Sequence, residues 1–282
     1  MNFSYQENQI SQRKFEEFSV EDRQRITEIV NLFVKRVLGK SADVSDYHQK
    51  HSGKRGHWIE QQMGVAANCQ NAPDLMGFEM KDGTKSKTSF GDWRADRYIY
   101  EEEAYGICQN DFLMIFGKRN EAKGGRYSWA GTPCPKIGSF NSFGQRLEVD
   151  EELNIKAVYS YSQDKREEKG KIVPEHLKRD GLVLAIWKAD NMRAKVENKY
   201  NKRGWFRCKR NSCGKYNSIE FGLPMTYENW IAHVKSGDII FDSGMSQSPD
   251  KKRKKRLRSQ WRAKNSFWDR FVAGEFQWEL NY

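Results

Sequence analysis

Cysteine is sparse in this chain, and Cys69, Cys108, Cys134, Cys208 and Cys213 are scattered without the spacing of a disulfide framework. That argues against secretion and for a reducing cytoplasm. Cys208 and Cys213 would suit the start of a zinc site, but no neighbouring second pair or histidine cluster completes four ligands. No apolar run approaches the ~18 to 20 residues of a membrane span. The opening Met1-Asn2-Phe3-Ser4-Tyr5 lacks the basic flank and apolar core of a signal peptide. Internal repeats are not visible. Hydrophobic residues make up only 37% of 282, and the mean hydropathy is −0.91. Such a chain suits one large domain or a catalytic lobe with a second lobe.

What is abundant is charge. Against 38 acids stand 49 Lys and Arg, a net +11, which favours an anionic partner, nucleic acid before membrane. A ribosome-associated or merely soluble basic protein shares that composition. From Ser19, which with Asp22 can cap a helix, the apolar residues Ile26, Ile29, Val30, Phe33 and Val37 recur at helical spacing until Gly39. A second short helix is expected over residues 56–64, with Trp58, Ile59 and Met63 packing and Glu60 one face over.

The stretch with chemical content is Pro73-Asp74-Leu75-Met76-Gly77-Phe78-Glu79-Met80-Lys81. Its period-two alternation after Gly77 predicts a strand, and strand residues two apart share a face, so Glu79 and Lys81 project together. Asp74, in the turn marked by Pro73 and Gly77, can swing its carboxylate beside them. Two carboxylates suit a hard divalent cation, Mg²⁺ above all, which keeps its waters for a phosphate substrate. A lysine there is a point charge near attacking water or scissile phosphate. The spacing is also short enough to arise by chance, and Glu-x-Lys is common on soluble strands. The helix before the motif, feeding an antiparallel hairpin, would bring Glu60 to the site's second side; His57 is read as a surface residue. Lys85 and Lys87 in the following turn are candidates for phosphate contacts.

Further on, residues 111–116, 147–149, 155–161, 182–187, 205–208, 218–221 and 239–242 read as strands, and 192–200 and 227–234 as helices, with 117–141 a long loop. The second half is thus mixed α/β. Its basic run Lys251-Lys252-Arg253-Lys254-Lys255-Arg256 is suited to backbone phosphates, or to a targeting signal or solubilising loop. The separate Arg258, Gln260 and Arg262 are better placed to read base edges, with Asp242 as acceptor for a cytosine amino group. The expected division is 1–165, an N-terminal helix and catalytic lobe, and 166–282, a DNA-recognition lobe.

Trp58-Ile59-Glu60, Pro73-Asp74, Gly77, Glu79-Met80-Lys81 and Thr88-Ser89-Phe90-Gly91-Asp92-Trp93 resemble Type II restriction endonucleases of the MutH-like branch of the PD-(D/E)xK nucleases. Phe221-Gly222-Leu223-Pro224-Met225, Tyr227-Glu228-Asn229-Trp230-Ile231, Phe241-Asp242-Ser243-Gly244-Met245 and Trp261-Arg262-Ala263 are similar to the MvaI/BcnI and LlaMI/ScrFI group. The likeness spans about residues 55 to 270. It implies a mixed α+β fold, with a central mixed sheet flanked by helices and an α+β recognition lobe. It implies hydrolysis of double-stranded DNA with Mg²⁺ at a short C·G-rich site, in a prokaryotic cytoplasm beside a cognate DNA methyltransferase, by an enzyme that often acts as a monomer. By the same resemblance Asp74 and Glu79 are the metal-binding acids, Lys81 the motif lysine, Glu60 the helix glutamate, and Asp242 a base reader. A mismatch-repair nickase of the same fold and a DNA-binding module without cleavage are the rival readings.

Overall fold

Contacts sort the chain into two units, both discontinuous in sequence. One comprises Met1–Thr88, Lys195–Thr226 and Lys264–Tyr282, the other Ser89–Ala194 and Tyr227–Ala263. The computed structural model describes residues 5–6, 15–45, 53–65, 71–83, 86–248 and 257–280. Residue 165, where the sequence reading ends its first lobe, falls inside the second unit.

In the first unit, β1 (Tyr5–Gln6), β2 (Glu79–Asp82), β10 (Trp205–Arg210), β11 (Tyr216–Gly222) and β15 (Val272–Trp278) form one sheet, ordered β1-β15-β11-β10-β2. Every neighbour is antiparallel except β2, which runs parallel to β10 at the edge. The sheet is therefore mixed. Helices α1 (Val20–Arg36) and α2 (Lys54–Met63) share its apolar face. Ser19 caps α1, its Oγ accepting from the Asp22 amide at 3.0 Å, and Ile26, Ile29, Val30 and Phe33 are its buried stripe. α2 buries Trp58, Ile59 and Met63, and stops at Gly64, whose φ of 79° is left-handed. Phe78, Met80, Phe206, Ile219, Phe221 and Trp278 complete that core. Each such side chain contributes about 1.5–3 kcal/mol by leaving water.

The sequence reading expects β2 to turn back in a hairpin, and the structure differs. The Gly83 amide donates to Cys208 O at 3.1 Å, so the parallel ladder with β10 continues past the strand instead of reversing. β3 (Lys87–Asp92) belongs to another sheet.

Among the described residues, the second unit carries three small sheets. β4 (Arg97–Tyr98), β7 (Phe143–Val149), β8 (Ile155–Asp164) and β9 (Leu182–Trp187) are ordered β4-β9-β8-β7. β5 (Lys118–Asn120), β6 (Arg126–Trp129) and β13 (Met245–Ser246) are ordered β13-β6-β5. β12 (Ile239–Ser243) and β14 (Ser259–Lys264) join β3 in the order β12-β14-β3. Tryptophans fill its interior: Trp261 packs edge-on against Trp187 and Trp230, with centroids 5.5 and 5.2 Å apart.

Residues 111–116, expected as a strand, lie instead in α3 (Gln109–Phe116). Phe112, Leu113, Ile115 and Phe116 are buried at helical spacing, and Asp111 Oδ2 accepts from the Cys108 amide at 2.8 Å to start the helix. The expected long loop 117–141 contains β5 and β6. The further α-helices of the described residues are α4 (Lys169–Ile172), α5 (Ala189–Tyr200), α6 (Tyr227–Lys235) and α7 (Asn265–Arg270). α5 crosses the border between the units, so that Lys195 to Tyr200 belong to the first. Among the described residues no helix is long and apolar enough to cross a membrane.

Candidate active site

The motif is shaped by a two-residue turn. Leu75 and Phe78 exchange both backbone hydrogen bonds, at 3.0 and 2.9 Å, around Met76 (φ 51°) and Gly77 (φ 89°). Two consecutive left-handed residues give the turn whose twist suits tight reversal. A side chain at Gly77 would also meet Arg203, with a Cβ only 2.8 Å from its Cδ. Arg203 is itself held by Glu21, at 2.5 Å, and by Asp22 of α1. The turn is thus anchored to the helix layer. It folds the Asp74 carboxylate back onto the strand, where Oδ2 accepts from the Met80 amide at 2.9 Å.

Beyond the turn, Glu79 and Lys81 share a face of β2, Glu79 beside Trp205 and Lys81 beside Arg207 of β10. Glu79 is 2% exposed. Its Oε1 accepts from Lys81 Nζ at 2.6 Å and meets Lys199 Nζ at 3.1 Å. Its Oε2 is buried with no hydrogen-bond partner. Burial pushes the Glu79 carboxyl above the usual carboxylate range; Lys81 and Lys199 oppose this and Asp74 adds to it. Lys81 Nζ also lies 5.4 Å from the Tyr200 ring centre. The Tyr200 hydroxyl is held well above its ordinary value by burial first, then by Glu79 and Asp74.

Glu60 approaches from α2, its Oε2 3.3 Å from His57 Nδ1. Burial raises its carboxyl; the His57 charge lowers it, Asp74 raises it, and Lys81 lowers it. The structure therefore brings Glu60, Asp74, Glu79 and Lys81 into one electrostatic neighbourhood within the first unit. His57 partners Glu60 on the helix surface.

The residues read as base contacts lie in the second unit. On β14, Ser259, Trp261 and Ala263 face inward, while Gln260 and Arg262 face the other way. Asp242 of β12 sits opposite Gln260 in register, and its Oδ2 accepts from Arg262 Nη1 at 2.8 Å. Arg258 is exposed just before the strand. Lys87 is the first residue of β3 and half-buried. Lys85, Lys251, Lys252, Arg253, Lys254, Lys255 and Arg256 lie outside the described residues.

Among the described residues no three His, Cys, Asp or Glu side chains are clustered as a ready metal cage. The donors present nonetheless fit a magnesium ion, which is commonly bound by one or two carboxylates and keeps its remaining waters. Glu79 Oε2 is a buried oxygen without a partner, and Asp74 is its charged neighbour. Sequence reasoning missed Lys199 and Tyr200, because nothing local to α5 marks them and only the fold carries them to β2.

A profile described as LlaMI restriction endonuclease matches residues 37–276. Over 265 residues the chain is 41% identical to the Type II restriction enzyme ScrFI of Lactococcus lactis subsp. cremoris, with 87% of this chain and 96% of that protein covered. A solved complex of the restriction endonuclease MvaI with its cognate DNA substrate superposes with a TM-score of 0.58 at 14% identity, covering 93% of this chain and 99% of that one. At that identity the likeness concerns the fold.

Proposed function

Because the chain belongs to the LlaMI restriction endonuclease family, it is a Type II sequence-specific endonuclease of double-stranded DNA, and we propose that Glu60, Asp74, Glu79 and Lys81 form its active centre. The observation that carries this reading is the buried edge of β2, where Glu79 offers an unpartnered oxygen beside Asp74 and a lysine two residues away.

Asp74 and Glu79 are the residues that would hold Mg²⁺, which when bound polarises the scissile phosphate and makes a coordinated water more acidic. The chain's own part follows from the geometry. Lys81, leaving Glu79 Oε1, presents its ammonium to the attacking water or to a phosphate oxygen, where it offsets gathering negative charge. Glu60, with His57 against its other side, closes the centre and adds a third carboxylate near Asp74. The low exposure of Glu79 strengthens each of these interactions relative to water.

Site choice belongs to the other unit. Arg262, Gln260 and Arg258, with Asp242, read base edges of a short C·G-rich sequence, and Lys85, Lys87 and the 251–256 run meet backbone phosphates. The enzyme acts as a monomer in a prokaryotic cytoplasm, where a cognate methyltransferase protects the host's own sites.

Digestion of unmethylated plasmid with Mg²⁺, followed by sequencing of the ends, tests the assignment. The expected result is both strands cut at one short sequence, with Lys81→Ala slowed about a hundredfold or more, as when one charge-stabilising donor is removed. Wild-type cutting rates in Lys81→Ala would remove Lys81 from the mechanism. Nicked circles alone would point to a strand-specific nickase.

A further inference from the structure

The neighbourhood of Glu79 is framed from far downstream in the sequence. Asn71 Nδ2 donates to Lys195 O at 2.8 Å, so α5 is tied to the chain just before Asp74. One helical turn later Lys199 Nζ meets Glu79 Oε1, and the next residue, Tyr200, lies under Lys81. The turn after α5 returns once more, as Gly204 O accepts from the Glu79 amide at 3.0 Å. A Cβ at Gly204 would sit 2.1 Å from Gly222 O, so only glycine fits that approach. Backbone and side chain of Glu79 are thus both held by one segment, residues 195–204.

Two lysines on a single carboxylate oxygen is more cation than one buried oxygen needs for a hydrogen bond. The second becomes useful when the first departs. If Lys81 serves the reacting phosphate, as proposed above, its ammonium is drawn toward the new charge and its hold on Glu79 Oε1 weakens at that moment. A carboxylate 2% exposed and deprived of its main ion pair would be left as an uncompensated buried charge, or move. Lys199 is 18% exposed, already within ion-pair distance, and set on the last turn of a helix whose end favours a cation.

We propose that Lys199 is a positioning residue for cleavage: its Nζ takes over Glu79 Oε1 when Lys81 turns to the reacting phosphate, so that Glu79 stays in place through the step. Lys199 touches neither water nor DNA in this role. It acts through Glu79 and sets Lys81 free. The inference rests on the active centre proposed above.

The test compares Lys199→Met and Lys199→Arg with wild type in single-turnover cleavage of a saturating oligoduplex containing the mapped site, with Mg²⁺. Lys199→Met should slow cleavage about tenfold or more, the factor corresponding to one charge-assisted hydrogen bond. Lys199→Arg should recover most of that loss, and duplex affinity in metal-free buffer should not change. In a Lys81→Ala background, Lys199→Met should cost at least as much as it does alone, since Glu79 then keeps neither lysine. A second readout needs no turnover: calorimetric titration of Ca²⁺ into the enzyme–duplex complex should show binding no weaker in Lys199→Met than in wild type. Wild-type rates in Lys199→Met, a Lys199→Met loss that vanishes in the Lys81→Ala background, or weaker Ca²⁺ binding that accounts for the slower rate would each overturn the role. Failure of the active-centre assignment looks different, since Lys81→Ala and Glu79→Gln would then cut normally.

Discussion

Replacing Glu79 by glutamine in metal-free protein should make the fold more stable at pH 8 and leave it unchanged near pH 4. The carboxylate is 2% exposed, and one of its oxygens has no partner. Burial accordingly raises its proton affinity even with Lys81 and Lys199 opposing. Between the ordinary carboxylate value and the raised one, the folded chain holds a proton that the unfolded chain has lost. Wild-type stability therefore falls as pH climbs through that window and stays low above it. The amide does not titrate, and its oxygen still accepts from the lysines. What the amide relieves is the buried charge, since its Nε2 stands unpartnered where Oε2 stood, and that relief is worth on the order of 1–3 kcal/mol. For a chain of this size that moves the melting midpoint by about 2–6 °C. Calorimetry in chelator-containing buffer from pH 4 to 9 measures it, the gap between variant and wild type widening with pH. Added Mg²⁺ should then raise the wild-type midpoint alone, because a ligand stabilises only the fold that binds it. A variant less stable than wild type at pH 8 would refute the argument, since Glu79 would then be a net stabilising charge.

Two other perturbations probe the proposed recognition face and the sheet. Arg262 and Asp242 are about one-third exposed, so their 2.8 Å pair contributes under about 1 kcal/mol to the free protein. On DNA, Arg262→Ala should lose about 1–3 kcal/mol of discrimination at one base pair. Asp242→Ala should relax the same position, with the double variant no worse than Arg262→Ala; cleavage of a randomised site library reads this, and losses at two different base pairs would mean independent contacts. Arg207 is 2% exposed and donates to Glu220 at 2.9 and 2.5 Å and to Asp269 at 2.5 Å. Arg207→Met strands Glu220 with Lys209 alone and should cost about 3–5 kcal/mol in urea unfolding; a loss below about 1 kcal/mol would show that water replaces the pair.

What could be read in the sequence was local. The capped α1, the amphipathic α2 and the alternation through Glu79 and Lys81 are each set within a few residues, by periodicities that side-chain geometry imposes. The run from Phe112 to Phe116 was misleading for the same reason: a short, wholly apolar run has no period, and only Asp111 before it, whose carboxylate accepts from the Cys108 amide, marks it as helical. The partner of β2 was beyond reach. Residues 89–194 intervene between the motif and the segment that frames it, so β10, Gly204, Tyr200 and Lys199 reach the site by tertiary pairing alone. Likewise the two units alternate along the chain, and a single sequence boundary cannot describe them.

The net charge of +11 also reads differently once its members are placed. Lys81, Lys199, Arg203 and Arg207 are engaged with acids of the first unit and are not a free surplus for DNA. Their arrangement still matters to an anionic substrate. Lys81, Arg207, Glu220 and Glu275 stand at one register across β2, β10, β11 and β15, so the row runs from two cations at the β2 edge to two anions on the next two strands. Glu275 has its carboxyl raised by burial and then by Glu220, as crowding of like charge at that end requires. A sheet ordered in this way turns the cationic end of the row toward the edge where the proposed centre would meet a phosphate. Beside the carboxylates of Asp74 and Glu79, that separation of sign along one row, more than the total charge, is what would favour a phosphodiester at the proposed centre.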